Sequence, residues 1–337
     1  MLVFFSCVRL FVSEDNSLKI FYYVIHKRLF LAAVSGIIVI SRKRIKNEKR
    51  KRQMSFIDVL KIIALGIVEG VTEWLPVSST GHLLLLNNLL KLNIGARPDE
   101  FWNVFLYVIQ LGAILAVVVL FWNKMFPFQF KDKEKPVVRK DVFSVWFKVV
   151  VACVPGAITT LVLDNLVEEY LSSAIVVATT LIAYGVAFII VEKLNKKREP
   201  KINDLGEITY LTALYIGLFQ VLSIIPGTSR SGATIIGALI IGVSRTAAAE
   251  FTFFLAVPVM IGMSLIKVVK YVVAYGFFGG TEILAIAIGM VVAFLVSVAV
   301  IKFLLSFIKK NDFQPFGWYR IALGVVVIAF VIAGVVR

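Results

Sequence analysis

Gly66-Ile-Val-Glu-Gly-Val-Thr-Glu-Trp-Leu-Pro-Val-Ser-Ser-Thr-Gly-His82 is a polar, glycine- and proline-broken stretch set inside an apolar one. A second stretch, Gly217-Leu-Phe-Gln-Val-Leu-Ser-Ile-Ile-Pro-Gly-Thr-Ser-Arg-Ser-Gly-Ala233, reads as its copy. With two one-residue gaps, Pro76 falls on Pro226, Ser79 on Ser229, Thr80 on Ser231 and Gly81 on Gly232. A repeated pair of interrupted hydrophobic segments points to a site at a repeat interface. Ionisable side chains at membrane depth are costly and mark functional positions.

The surrounding composition says that these stretches lie in a membrane. Hydrophobic residues make up 59% of the 337, and charged residues only 17%, against roughly a quarter charged in soluble domains. Asn103–Trp122, Ser172–Val191, Ile208–Ser229 and Ile283–Ile301 carry no charge at all, and each is near the roughly 20 residues that a spanning helix needs. None alternates with period two, so helices are favoured over barrel strands. The net charge of +15 does not call for nucleic acid, because the bases cluster in loops and no basic module of recognisable fold is present. Cys7 and Cys153 give no disulfide framework, and with only His26 and His82 there is no Cys/His metal spacing.

Loop charge sets the topology. The loops at 124–141, 192–207 and 309–312 are rich in Lys and Arg and are read as cytoplasmic; 164–171 holds only acids and 275–282 no base, so both are read as external. Helices near 103–122, 143–163, 174–192, 249–273, 282–307 and 318–336 alternate between these loops. The 208–244 segment must then start and end on one side, as a re-entrant hairpin with arms 208–225 and 231–244 broken at Pro226-Gly227. The first copy, with arms near 57–75 and 80–92, enters from the opposite face. Such backbone is tolerated at depth where protein or water covers it. The sequence therefore predicts an all-α polytopic membrane protein: six spanning helices plus two re-entrant helical hairpins in an inverted repeat. Residues 54–200 form the first repeat and 201–337 the second. Residues 1–53, with their basic run Arg42–Arg52, conflict with this topology. They are read as an N-terminal extension outside the functional fold, with Met54 as the functional start and an extra anchor as the alternative.

Glu69 and Glu73 are one helical turn apart on one face. Two such carboxylates can share a divalent cation or divide acid and base roles; alternatively, one is a buried Glu bonded to backbone. Pro76–His82 brings Ser78, Ser79 and Thr80 together with the imidazole of His82. Hydroxyls and backbone amides suit an anion, a Ser beside a base suits nucleophilic catalysis, and Ser79 or Thr80 also suits a helix cap. Arg230, between Ser229 and Ser231, is the sole cation of the 37 residues Ile208–Ser244. It needs an anionic partner, which a glutamate across the hairpins or a phosphate would each supply. The set suits phosphoryl transfer and neither peptide hydrolysis nor redox chemistry.

Glu69–His82 and Pro226–Thr234 resemble the two signatures of the bacterial undecaprenyl-diphosphate phosphatase (bacitracin-resistance phosphatase) family, and Gly242–Pro258 is similar to it as well. The resemblance runs from about Met54 to the C-terminus. It implies hydrolysis of undecaprenyl diphosphate, the C55 lipid substrate, to the monophosphate. It also implies a plasma-membrane location with the active site facing outside, recycling of the cell-wall lipid carrier, bacitracin resistance and a divalent-cation requirement, met by Mg2+ or Ca2+. By position it makes Glu69 and Glu73 the acidic, metal-binding pair, Ser79 and His82 the catalytic serine and histidine, and Arg230 the phosphate-binding arginine. Ser78, Thr80, Ser229 and Ser231 join them as diphosphate-binding hydroxyls. Membrane lipid is the expected surrounding, nucleic acid is excluded, and a homodimer is compatible with the reading. Type-2 phosphatidic acid phosphatases are excluded, because Ser231–Ile241 holds neither the His nor the Asp that their second element needs. The alternative from another class is a polyprenyl-phosphate flippase using the same inverted-repeat site.

Overall fold

The computed structural model describes residues 54–130 and 136–336; the expected extension 1–53 lies outside the described residues. Residues 54–268 and 279–336 pack as one unit, and the packing considered below lies within it. Among the described residues there is no strand, and ten helices longer than one turn follow one another. They are α1 Phe56–Thr72, α2 Ser79–Leu90, α3 Pro98–Leu120, α4 Lys140–Tyr170, α5 Ala174–Asn195, α6 Tyr210–Val221, α7 Arg230–Ile241, α8 Arg245–Tyr275, α9 Gly280–Ile308 and α10 Gln314–Ile332. Six of these, α3, α4, α5, α8, α9 and α10, are long and apolar enough to cross a membrane.

Local chemistry sets the boundaries. Ser55 and Asp58 cap each other's backbone amides at the start of α1, which satisfies two of the N–H groups every helix start leaves open. Pro98 opens α3 with Asp99 and Glu100 in its first turn, favourable against the helix dipole. Thr209 caps α6, and Gly242 ends α7 in the left-handed conformation at φ 99°, which suits glycine. Pro155 and Pro258 sit inside α4 and α8 without ending them.

Close approach at small residues fixes how the helices meet. A Cβ on Gly66 or Gly70 of α1 would come within 2.8 Å of Val292 or Val296 on α9. Gly217 of α6 meets the carbonyl of Ala152 on α4 in the same way. Gly185 of α5 and Gly317 of α10 face each other where those two helices pack. Thus α1 lies on α9 as α6 lies on α4, while α5 and α10 pair together. Behind the first broken pair, Trp74 is fully buried with its ring edge-on to Phe253 at 5.2 Å. That aromatic core, with Phe121 and Phe254, gives the Trp74–Val77 turn a rigid floor.

Candidate active site

The two breaks are built alike. Each ends in a serine with positive φ, Ser78 at 73° and Ser229 at 67°, an unfavourable conformation for a residue with a Cβ and one that clusters at functional sites. Each of these serines caps the helix after it: the Gly81 N–H donates to Ser78 Oγ at 3.4 Å, and the Gly232 N–H to Ser229 Oγ at 3.2 Å. The expected cap at Ser79 or Thr80 is therefore corrected to Ser78, because α2 starts one residue earlier than the hydrophobic pattern suggests. The register is corrected with it. Pairing Ser78 with Ser229 aligns the two stretches without any gap. Gly66 then faces Gly217, Glu69 faces Gln220, Ser79 faces Arg230, Thr80 faces Ser231 and Gly81 faces Gly232. The shared backbone conformation, and not the identity of the prolines, sets the correspondence.

Both helix starts open on one cavity of about 600 Å3. Glu73, Ser79 and Thr80 line it from the first stretch, and Ser229, Arg230 and Ser231 from the second. Across 157 residues, Arg230 Nη2 donates to Glu73 Oε1 at 2.7 Å. The glutamate is thus one partner of the arginine, while its other terminal nitrogen, Nη1, is buried with no partner. Ser231 Oγ donates to the Glu73 carbonyl at 3.4 Å and lies 3.1 Å from Ser229 Oγ. Ser79 is half-buried, and its hydroxyl makes no hydrogen bond among the described residues. A guanidinium with one nitrogen to spare, several hydroxyls and two helix N-termini around one space are what a phosphate group requires.

Three predicted residues stand back from the cavity wall. Ser78 is fully buried as the cap. His82 is held at both ring nitrogens, Nδ1 2.7 Å from the Ser78 carbonyl and Nε2 2.6 Å from the Tyr319 hydroxyl. The carbonyl can only accept, so Nδ1 carries the proton and, in the neutral ring, Nε2 accepts from Tyr319. Glu69 is fully buried one turn behind Glu73, and neither of its carboxylate oxygens has a partner.

Sequence reasoning missed the residues that hold the two tips together. Arg320 of α10 is fully buried. It donates to the Pro76 carbonyl at 3.3 Å and to the Gly227 and Thr228 carbonyls at 2.8 Å each, so one guanidinium ties both turns. Thr180 of α5 donates to the Pro226 carbonyl at 2.7 Å. Arg320 had a signal: it is the sole charge between Asp312 and Arg337, the same argument that singled out Arg230. Gln220, the counterpart of Glu69, lines the cavity with its Oε1 buried and unpartnered; only the corrected register exposes that match.

Residues 62–326 match the family model described as bacitracin resistance protein BacA. An undecaprenyl-diphosphatase of Enterococcus faecalis is 60% identical over 276 residues, which are 82% of this chain and 98% of that protein. Undecaprenyl-diphosphatases of Lachnoclostridium phytofermentans and Acetivibrio thermocellus are 55% and 52% identical, with 82% of this chain and 98% and 99% of theirs covered.

Proposed function

This chain belongs to the BacA family of bacitracin resistance proteins, and on that premise we propose that it hydrolyses undecaprenyl diphosphate to undecaprenyl phosphate and inorganic phosphate. The observation that carries the reading is the 2.7 Å Arg230–Glu73 pair, which joins the two motifs at one cavity and leaves Arg230 Nη1 for an anion. The terminal phosphate lies between that nitrogen and the hydroxyls of Ser79, Thr80, Ser229 and Ser231, against the starts of α2 and α7.

Ser79 is the nucleophile. Its Oγ attacks the terminal phosphorus and gives up its proton, the bond to the bridging oxygen breaks, and undecaprenyl phosphate leaves with that oxygen. Water then cleaves the phosphoserine and restores Ser79 with release of inorganic phosphate. His82 stands three residues on, on the same side of α2, and is the proton carrier. To serve Ser79 its ring exchanges the Tyr319 hydroxyl for that of Ser79. Glu73 orients Arg230. Glu69 and Glu73 fit a divalent cation, since both Glu69 oxygens are buried without a protein partner and hard cations take carboxylate, phosphate and water oxygens. Mg2+ or Ca2+ held there would neutralise diphosphate charge.

The site faces outward. Its lining residues on α4, 153–161, and on α8, 258–266, run from mid-helix toward the ends at Tyr170 and Tyr275. The stretch 164–171, expected as a loop, is mostly the last turns of α4; it carries Asp164, Glu168 and Glu169 and no base, and residues 276–279 after α8 carry no charge. The broken pairs are re-entrant hairpins. Helices α2, α6 and α7 have 12 residues each, about 18 Å of the roughly 30 Å hydrocarbon. The matched contacts of α1 with α9 and α6 with α4 support an inverted repeat of 54–200 and 201–337. Hydrolysis on this face recycles the carrier lipid and underlies bacitracin resistance.

Phosphate release from undecaprenyl diphosphate by the purified full chain tests the reading. The expected result is release that a chelator abolishes and added Mg2+ or Ca2+ restores; no release under any of these conditions overturns it. Lipid flipping is the second reading, favoured by the paired hairpins. It requires movement of polyprenyl phosphate across proteoliposomes without hydrolysis.

A further inference from the structure

A second cavity, of about 1190 Å3, lies at the far end of α7 from Arg230, about 18 Å along that helix. Its wall is built by the chain between α5 and α6 crossing the α7–α8 corner. The N–H groups of Lys201 and Ile202 donate to the Gly242 carbonyl at 2.8 and 3.3 Å, and the Ser244 N–H returns a bond to Ile202 at 2.8 Å. Asn195 Nδ2 donates to the Leu239 carbonyl at 2.9 Å. The aliphatic stem of Lys201 runs over Gly242, where a Cβ would meet it at 3.6 Å.

Six bases line the cavity, Lys196, Arg198, Lys201, Arg245, Lys309 and Lys310, against the acids Glu192, Glu199 and Asp312. Two of those acids are already engaged. Glu192 is fully buried, accepts from Arg245 at 2.5 to 3.1 Å through three contacts and accepts the Phe313 N–H at 3.0 Å. Asp312 accepts from the backbone and side chain of Gln314. The lysines at 196, 201, 309 and 310 have no ion pair among the described residues. Beside them stands an apolar ledge that includes Ile240, 48% exposed. Unpaired cations around a recess with an aliphatic edge match an anionic headgroup joined to a hydrocarbon chain.

We propose that this cavity binds the phosphate of an anionic lipid, with Lys201, Lys309 and Lys310 on the phosphate and Ile240 against the first part of the chain. It is distinct from the diphosphate cavity, with which it shares no lining residue. It lies among the basic loops that charge assigns to the cytoplasmic leaflet, and it does not depend on the phosphatase reading. Two lipids have this chemistry, a phospholipid such as phosphatidylglycerol and a prenyl monophosphate.

Native mass spectrometry of the detergent-purified full chain separates them, with dioleoylphosphatidylglycerol, farnesyl phosphate and inorganic phosphate titrated in turn. The wild type and Lys201→Arg/Lys309→Arg/Lys310→Arg should retain lipid at concentrations about tenfold or more below those needed by Lys201→Gln/Lys309→Gln/Lys310→Gln. Phosphate release should be equal in all three proteins, which also shows that each is folded. Discrimination with phosphatidylglycerol or with farnesyl phosphate supports the site and tells which chain fills it. Discrimination with inorganic phosphate alone overturns the lipid assignment. Superimposable titrations of wild type and the Gln variant with every probe overturn the site.

Discussion

Arg230→Lys replaces a planar fork by a point charge. The ammonium can keep Glu73 or reach the phosphate but cannot do both as Nη2 and Nη1 do. The expected loss is roughly 10²-fold in kcat/KM, read by phosphate release with Tm unchanged. Ser79 and its neighbour separate chemistry from structure. Ser79→Ala should lower kcat by roughly 10²-fold or more at unchanged Tm. Ser78→Ala should mainly cost stability, about 1 kcal/mol for the lost cap, because its hydroxyl is turned to the Gly81 N–H and away from the cavity. Greater damage to kcat from the Ser78 change would move the nucleophile by one residue. Arg320→Met should act on both tips at once, costing roughly 1–3 kcal/mol for each carbonyl left without its donor. It should lower kcat without touching substrate.

At the scale of elements, the approach of α6 to α4 rests on Gly217, whose Cβ position is taken by the Ala152 backbone. Gly217→Val should lower Tm by roughly 3–10 °C. Gly262→Ala on α8, whose Cβ would meet only the open space of the cavity, should leave Tm no lower, since alanine favours the helix; equal losses from the two would deny the close approach. Hydropathy found all six long helices, with ends displaced where polar residues extend the helix past the apolar run: α3 starts at Pro98 and not 103, and α4 runs on to Tyr170 and not 163. It also placed a helix near each of the four expected arms, because a proline, Pro76 or Pro226, interrupts the apolar pattern between them, which is a local signal. The register between the copies was not legible. Proline matched proline in the letters, whereas the equivalence lies in two positive φ angles, which residue identities alone do not reveal. With the register went Gln220 as the partner position of Glu69.

For the whole molecule, the identity of the cavity's charged residues was legible because charge at membrane depth is rare. How they pair was not. Arg230 had a glutamate and a phosphate as open partners, and the fold supplies the first while leaving a nitrogen for the second. Orientation is tested in cells with Cys7 and Cys153 replaced by Ser. A membrane-impermeant maleimide should label Ser172→Cys and leave Lys197→Cys untouched, and the reverse pattern would turn the site inward. The central claim is that tips far apart in the chain form one hydrolytic site, and a double-mutant cycle on Glu73→Gln and Arg230→Gln measures it. If the site is shared, each single change should cost roughly 10²-fold in phosphate release from undecaprenyl diphosphate. The double variant should then lose clearly less than the product of the two single losses, because either change removes the contact they share. Losses that multiply in the double variant would mean that the two residues act independently, and would contradict the account.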